Sequence, residues 1–209
     1  MQMKRGIIFA GGEFSTDTDI KDILTNDSVI LCADSGYDNA LLCGICPDVI
    51  IGDMDSVQNK LPDGVRQIKL NPEKDDTDTQ ACIDFLADEG CGEIILLGAL
   101  GGRIDHQMAN IMLTIYAAKK GVKLVIKDGK TEMFAVENSE KIKGEAGDWL
   151  SLIPILGDVE GVSLSGLKYT LENARLEAGK TVGISNEFVN ETAEISLKKG
   201  LILAVKTKR

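Results

Sequence analysis

Asp53 and Asp55, in the run Pro47-Asp48-Val49-Ile50-Ile51-Gly52-Asp53-Met54-Asp55-Ser56, are where chemistry could begin. Val49-Ile50-Ile51 is a short apolar run of the kind that forms a buried strand, and it ends in a glycine followed by two carboxylates two residues apart. In an extended chain the two side chains point to the same side, roughly 6–7 Å apart. Carboxylates so placed can grip one divalent cation between them, because hard cations take oxygen ligands. Gly, Asp and Ser are also the usual residues of a polar turn, so the stretch alone reads as well as a loop of solvated acids.

Three other stretches put aspartates at or near the ends of candidate strands: Cys32-Ala33-Asp34-Ser35-Gly36, Lys74-Asp75-Asp76-Thr77-Asp78 and Gly101-Gly102-Arg103-Ile104-Asp105-His106. Ligands of open α/β sheets collect beyond the carboxyl ends of the strands. A convergent set of acids repels itself unless a cation or a lysine or arginine neutralises it, so the arrangement implies a bound ion. Asp75 and Asp76 read more simply as first-turn acids that suit a helix dipole. The glycine-rich exit Gly98-Ala99-Leu100-Gly101-Gly102-Arg103 offers backbone amides, a helix N-terminus and a guanidinium, a reasonable anion site; the alternative is a connector with a surface arginine. His106 is the single histidine, which rules out Ser-His-Asp or Cys-His machinery elsewhere and leaves it a packing or capping role.

The elements that must position these residues follow from hydrophobic period and punctuation. Strands are expected over 5–10, 28–33, 49–51, 66–70, 93–98 and 122–127, and helices over 16–24, 37–43, 77–89 and 104–120. The helix over 77–89 carries a stripe of Cys82, Phe85 and Leu86, a cap at Asp76 or Thr77, and Gly90 at its end. The uninterrupted apolar run at 93–98 is the pattern of a parallel strand buried on both faces. Gly11-Gly12 after the first strand lets backbone approach a phosphate or simply makes a tight turn. Asp128-Gly129-Lys130 is a hairpin signal. Beyond it short β-rich runs at 131–136, 149–154, 159–164, 192–197 and 201–205 alternate with glycine-bearing turns, which points to an antiparallel β-sandwich. The expected architecture is an α/β domain over 1–129, with a mostly parallel sheet flanked by helices, followed by a β-sandwich domain over 130–209.

Composition narrows the function. A formal charge of −10 on 209 residues argues against nucleic-acid or anionic-membrane partners. The apolar run at 7–10 is too short for a signal peptide and no run approaches a membrane span, so the chain is expected in the cytoplasm. Five cysteines, an odd number, suit a reducing compartment. Cys43-Gly44-Ile45-Cys46 lacks both the strand-to-helix setting of a redox pair and the second pair of a zinc site, while Cys32, Cys82 and Cys91 read as small core residues. Ala174 to Thr181 nearly spells a P-loop, but its first glycine is alanine and it leads into β-like sequence, so Gly179-Lys180 is read as a turn.

Ala33-Asp34-Ser35-Gly36, Gly52-Asp53-Met54-Asp55-Ser56, Lys74-Asp75-Asp76-Thr77-Asp78, Gly101-Gly102-Arg103-Ile104-Asp105-His106, Gly166-Leu167-Lys168-Tyr169 and Gly183-Ile184-Ser185-Asn186-Glu187-Phe188 together resemble the thiamine pyrophosphokinase family. The blocks come in the family's order and span nearly the whole chain. The resemblance implies diphosphate transfer from ATP to the hydroxyl of thiamine, with magnesium held by Asp53, Asp55 and Asp78. It also implies Arg103 and Lys74 against phosphate charge, Asp34, Ser35 and Asp105 in ATP contact, and Tyr169, Ser185 and Asn186 around thiamine. The resemblance further implies a homodimer whose sites are shared between the α/β half of one chain and the β half of its partner. The rival readings are a transferase of phosphoryl or diphosphoryl groups to another alcohol, and a non-catalytic thiamine or nucleotide sensor.

Overall fold

A computed structural model describes residues 4–25, 27–71 and 75–209. The chain divides into two compact units, Met1–Gly129 and Lys130–Arg209.

The first unit is built on six strands: β1 (Arg5–Phe9), β2 (Val29–Ala33), β3 (Val49–Gly52), β4 (Arg66–Lys69), β5 (Glu93–Leu97) and β6 (Lys123–Asp128). They pair in parallel in the order β6-β5-β1-β2-β3-β4. Helices α1 (Gly36–Leu42), α2 (Asp78–Asp88) and α3 (Ile104–Lys119) cover the sheet, α1 and α2 lying against β1 and β2 and α3 against β6. Burial by helices explains why the inner strands are apolar throughout: Ile7, Ile8, Phe9, Leu31, Cys32, Ile50, Ile94, Leu96 and Leu97 have no exposed surface. Edge strand β4 instead exposes Arg66, Gln67 and Lys69, and charge on an edge discourages pairing with another chain. From β1 the chain steps outward through β2 and β3 to β4, then returns to place β5 on the other side of β1. The reversal opens a crevice at the carboxyl ends of β1 and β5.

Helix α2 begins as expected, with Thr77 Oγ1 accepting the Gln80 amide at 3.2 Å, and buries Cys82, Ile83 and Leu86. Phe85 is only half buried and lies under the Arg66 guanidinium, 5.3 Å from its carbon. The helix expected over 16–24 is absent: the segment is a series of turns, with Thr18 N–H bonded to Ser15 O and Leu24 N–H to Ile20 O. Asp19 accepts the Lys21 amide at 3.0 Å, a local side-chain bond that competes with helix.

The second unit contains β7 (Thr131–Val136), β8 (Ser139–Lys143), β9 (Trp149–Pro154), β10 (Val159–Ser165), β11 (Leu171–Leu176), β12 (Asn186–Glu187), β13 (Thr192–Ser196) and β14 (Ile202–Thr207). One antiparallel set runs β12-β9-β14-β7 and the other β11-β10-β13-β8. Alternation along the strands turns Phe134, Val136, Leu150 and Leu152 of the first set, and Ile142, Val162, Leu164 and Ile195 of the second, into buried core. Strands β8, β11 and β12 were not anticipated from sequence. β8 and β11 bury one side chain each and β12 is two residues long, so none shows a clear period. The near P-loop lies on β11 and the turn after it, where Lys180 N–H meets Glu177 O at 3.3 Å.

Candidate functional site

Parallel pairing of β2 with β3 brings their carboxyl ends side by side, Ala33 opposite Ile51, so the residues that follow each strand must meet. Asp34 N–H continues the ladder to Ile51 O at 2.9 Å, and the Asp34 carboxylate then accepts the Met54 amide at 3.0 Å. Two turns of left-handed backbone, Asp34 at φ +47° and Met54 at φ +67°, bend the loops into each other. Non-glycine residues enter this region at a cost and do so chiefly where the surroundings over-determine them. Gly52 makes the approach possible, since a Cβ there would lie 2.8 Å from Asp34 Cβ. Asp53 Oδ1 accepts the Asp55 amide at 3.2 Å and Ser56 Oγ donates to Asp55 at 2.7 Å, which closes the loop over its own acids.

Each of Asp34, Asp53 and Asp55 thereby offers a carboxylate oxygen within 4.8 Å of the others. Asp34 is 8% exposed, and its carboxyl is pushed above the usual range first by burial; hydrogen bonds from Ser35 and Ser56 pull the other way, and the charges of Asp78 and Asp53 add to the rise. Asp78, at the start of α2, stands outside the tight trio yet near enough for its charge to be felt there. An all-oxygen donor set with excess negative charge fits magnesium in chemistry and in number. Asp38, in the first turn of α1, accepts the backbone amides of Gln58 and Asn59 at 3.0 and 3.1 Å and the Asn59 side chain at 2.7 Å, tying down the far end of the acidic loop.

The crevice between β1 and β5 is laced shut at its base. Asn39 donates to Ala10 O at 2.7 Å and Gly12 O at 2.9 Å, Gly12 N–H to Gly98 O at 2.8 Å, and Asn110 to Ala99 O at 2.8 Å. α1 starts hard against this loop, where a Cβ on Gly36 would meet Phe9 O at 1.9 Å. The Gly12 amide is therefore spent inside the protein rather than offered to a phosphate. Beyond β5, Arg103 forms a two-pronged pair with Asp105, Nη2 to Oδ2 at 2.6 Å and Nε to Oδ1 at 3.1 Å, both side chains in solvent. The guanidinium hydrogen bonds hold Asp105 below the usual carboxylate range and Asp105 in turn raises Arg103. His106 is exposed rather than packed, and its backbone amide donates to Asp105 Oδ1 at 3.0 Å.

In the second unit, Gly166-Leu167-Lys168-Tyr169 is stitched to the segment around β12. Lys168 N–H reaches Glu187 O at 2.8 Å, and Leu167 bridges Phe188. Tyr169 is 65% exposed, unlike the sandwich-core aromatic Phe188 at 1%, and Lys168 Nζ sits 5.9 Å from its ring centre. Ser185 occupies left-handed backbone at φ +57°. Asn186 is 5% exposed and its side-chain amide is bonded to backbone.

The profile of the thiamin pyrophosphokinase catalytic domain matches residues 20–126, and that of the thiamin pyrophosphokinase vitamin B1 binding domain matches residues 137–202. The chain belongs to the thiamin pyrophosphokinase family. A Bacillus subtilis thiamine pyrophosphokinase is 28% identical over 212 residues, covering 98% of this chain and 99% of that one. The crystal structure of a thiamine pyrophosphokinase from Bacillus subtilis superimposes with a TM-score of 0.90 at 26% identity, over 98% of this chain and 99% of that one. A thiamin pyrophosphokinase from Geobacillus thermodenitrificans gives 0.85 at 25% identity, over 98% of each chain.

Of the residues that the thiamin pyrophosphokinase motifs single out, the structure gathers Asp34, Asp53 and Asp55, with Asp78 nearby, and pairs Arg103 with Asp105. Ser35 stands at the N-cap position of α1 without a side-chain capping bond. Lys74 lies outside the described residues. Nothing in the sequence marks Asp38, Asn39 and Asn110, because each acts on backbone groups 11 to 29 residues away that no motif names. Cys32, Cys82 and Cys91 are buried as expected, and burial pushes the Cys32 thiol up to about 12. Among the described residues no helix is long and apolar enough to cross a membrane.

Proposed function

We propose that this chain transfers the terminal diphosphate of ATP to the primary hydroxyl of thiamine, giving thiamine diphosphate and AMP. The observation that carries the reading is the meeting of Asp34, Asp53 and Asp55 at the carboxyl ends of β2 and β3, in a chain that matches both halves of the family. The hydroxyl oxygen of thiamine bonds to the β-phosphorus while the bridging bond to the α-phosphate breaks, its electron pair leaving with AMP. No protein nucleophile is required, so the work of the chain is to position and neutralise.

Asp53 and Asp55 would hold magnesium with Asp34, and Asp78 completes the set. When bound, the ion supplies Lewis-acid neutralisation of phosphate charge. Arg103, and Lys74 by the motif it belongs to, face the remaining phosphate charge; Ser35 and Asp105 contact the nucleotide. The hydroxyl proton leaves to a carboxylate of the acidic set. Tyr169 offers an aromatic face to the cationic thiazolium and flat pyrimidine, and Ser185 a hydrogen-bonding group. The reading includes a cytoplasmic homodimer in which the α/β half of one protomer and the β half of its partner share a site.

The deciding experiment is an AMP-forming assay with ATP, magnesium and thiamine on the wild type and Asp53→Asn. AMP and thiamine diphosphate in equal amounts, lost in the variant, support the reading; ADP as product would favour phosphoryl transfer instead, and free pyrophosphate hydrolysis of the nucleotide. Mixing Asp53→Asn with Tyr169→Ala, assayed at thiamine well below the wild-type KM, tests the shared site, since exchange of subunits restores part of the activity only if sites combine two chains.

A further inference from the structure

Asn186 has the residue type of a ligand-binding group, yet its hydrogen bonds go elsewhere. Its Oδ1 accepts the Tyr169 amide at 3.0 Å and its own neighbour's, Glu187, at 2.9 Å, while its Nδ2 donates to the Tyr169 carbonyl at 2.7 Å. That is the two-bond pairing an antiparallel strand neighbour would give Tyr169, supplied here by a side chain. Asn186 is 5% exposed whereas the Tyr169 ring is 65% exposed, so one residue is buried support and the other the presented surface. Ser185 at φ +57° turns the chain so that Asn186 can face inward. The same turn sets Ser151 Oγ against the Ser185 amide at 2.9 Å.

We propose that Asn186 is a positioning residue: it fixes the backbone of Tyr169, and through it the aromatic face that meets the heteroaromatic cation, without touching that ligand itself. The assignment rests on the proposed thiamine site. An aromatic side chain has two rotatable bonds, so once the backbone is pinned at both its N–H and its C=O, little remains to be ordered when a flat ligand docks. Loss of the Asn186 side chain would leave the part-buried Tyr169 amide and carbonyl without this partner and free the loop.

The test is a double-mutant cycle of Asn186→Ala, Tyr169→Ala and both together, read as KM for thiamine, KM for ATP and kcat. Each single change is expected to raise the thiamine KM about tenfold and to leave the ATP KM within about twofold, and the double variant to match Tyr169→Ala alone, because coupled residues are non-additive. Multiplied effects in the double variant would overturn the proposal and make Asn186 a direct ligand. Equal rises in both KM values would reduce it to a general structural residue. Should Asn186→Ala fail to fold, Asn186→Asp keeps the shape and the acceptor but removes the donor to Tyr169 O, and is judged by the same criteria. A wild type that makes no AMP from ATP and thiamine fails the functional reading itself; a wild type that turns over but gives multiplied effects fails only the role of Asn186.

Discussion

Asp34 and Met54 hold each other in place: the Met54 amide donates to Asp34 Oδ1 at 3.0 Å, and both residues sit in left-handed backbone, at φ +47° and +67°. A carboxylate that a cation would use is thus already oriented by the loop that carries the other two. Helical or strand backbone at either residue would break the bond and part the trio, so preorganisation here is stored as backbone strain.

Gly52 is where that arrangement is most easily broken. An added Cβ would meet Asp34 Cβ at 2.8 Å, Cα at 3.0 Å and N at 3.2 Å, mostly backbone that cannot swing away. Gly52→Ala is expected to cost about 1–3 kcal/mol of stability through overpacking and to lower kcat/KM more than about tenfold by displacing Asp34. Thermal melting with steady-state kinetics checks both; an alanine variant of wild-type activity would mean that the loops can part without harm.

Asp34 should trade stability for function. Its native pKa is raised above the ordinary 3.8 by burial and by Asp78 and Asp53, so the native state binds the proton more readily than the unfolded chain does. In the metal-free protein the contribution of Asp34 to stability must therefore fall as pH rises from about 3.8 through the raised value, because over that window its folded-state carboxyl holds more of the proton. Asp34→Asn removes this dependence and is expected to melt higher than the wild type at neutral pH without magnesium, while losing turnover. Melting curves from pH 4 to 7 decide it, and a variant less stable at every pH would contradict the account.

What the chain could announce in advance was local. An apolar run, a glycine and then acids mark a buried strand that ends at a ligand edge, and the loops after β2 and β3 carry that mark openly. Asn39 and Asn110, which lace the crevice, show nothing of their partners, because those are carbonyls of loops brought near only by the sheet order. The helix expected over 16–24 fails for the opposite reason: the apolar spacing is present, but the Asp19 carboxylate accepts the Lys21 amide and the turns prevail. For Asn186 the residue type was informative and its partner was invisible, since Tyr169 reaches it through backbone atoms that every residue has.

Arg103 should matter for turnover and hardly at all for stability. It and Asp105 are both exposed, and such pairs contribute little to folding. A planar fork that can exchange one two-pronged anion for another is what phosphate recognition uses, and lysine lacks it. Arg103→Lys is expected to leave the melting temperature where it is and to reduce kcat/KM by about ten- to a hundredfold, mostly through ATP. Kinetics with ATP varied at saturating thiamine test the prediction, and an unchanged ATP dependence would exclude the guanidinium from phosphate contact.

Asp38 should control how well the acidic loop holds its shape. Its carboxylate accepts three bonds from Gln58 and Asn59; burial alone would raise its pKa, but those bonds outweigh it and the net shift is downward from 3.8. A depressed native pKa adds stability above 3.8 that is lost as pH falls through the native value, so the stability gap between wild type and Asp38→Ala should be full at pH 7 and close in acid. Because residues 57–59 continue from Asp53 and Asp55, the same variant is expected to need about tenfold more magnesium for half-maximal rate, the usual scale for losing support behind metal ligands. Asp38→Asn keeps one acceptor oxygen and should fall between the two. A magnesium requirement equal to wild type in both variants would show that the acids hold their geometry without this anchor.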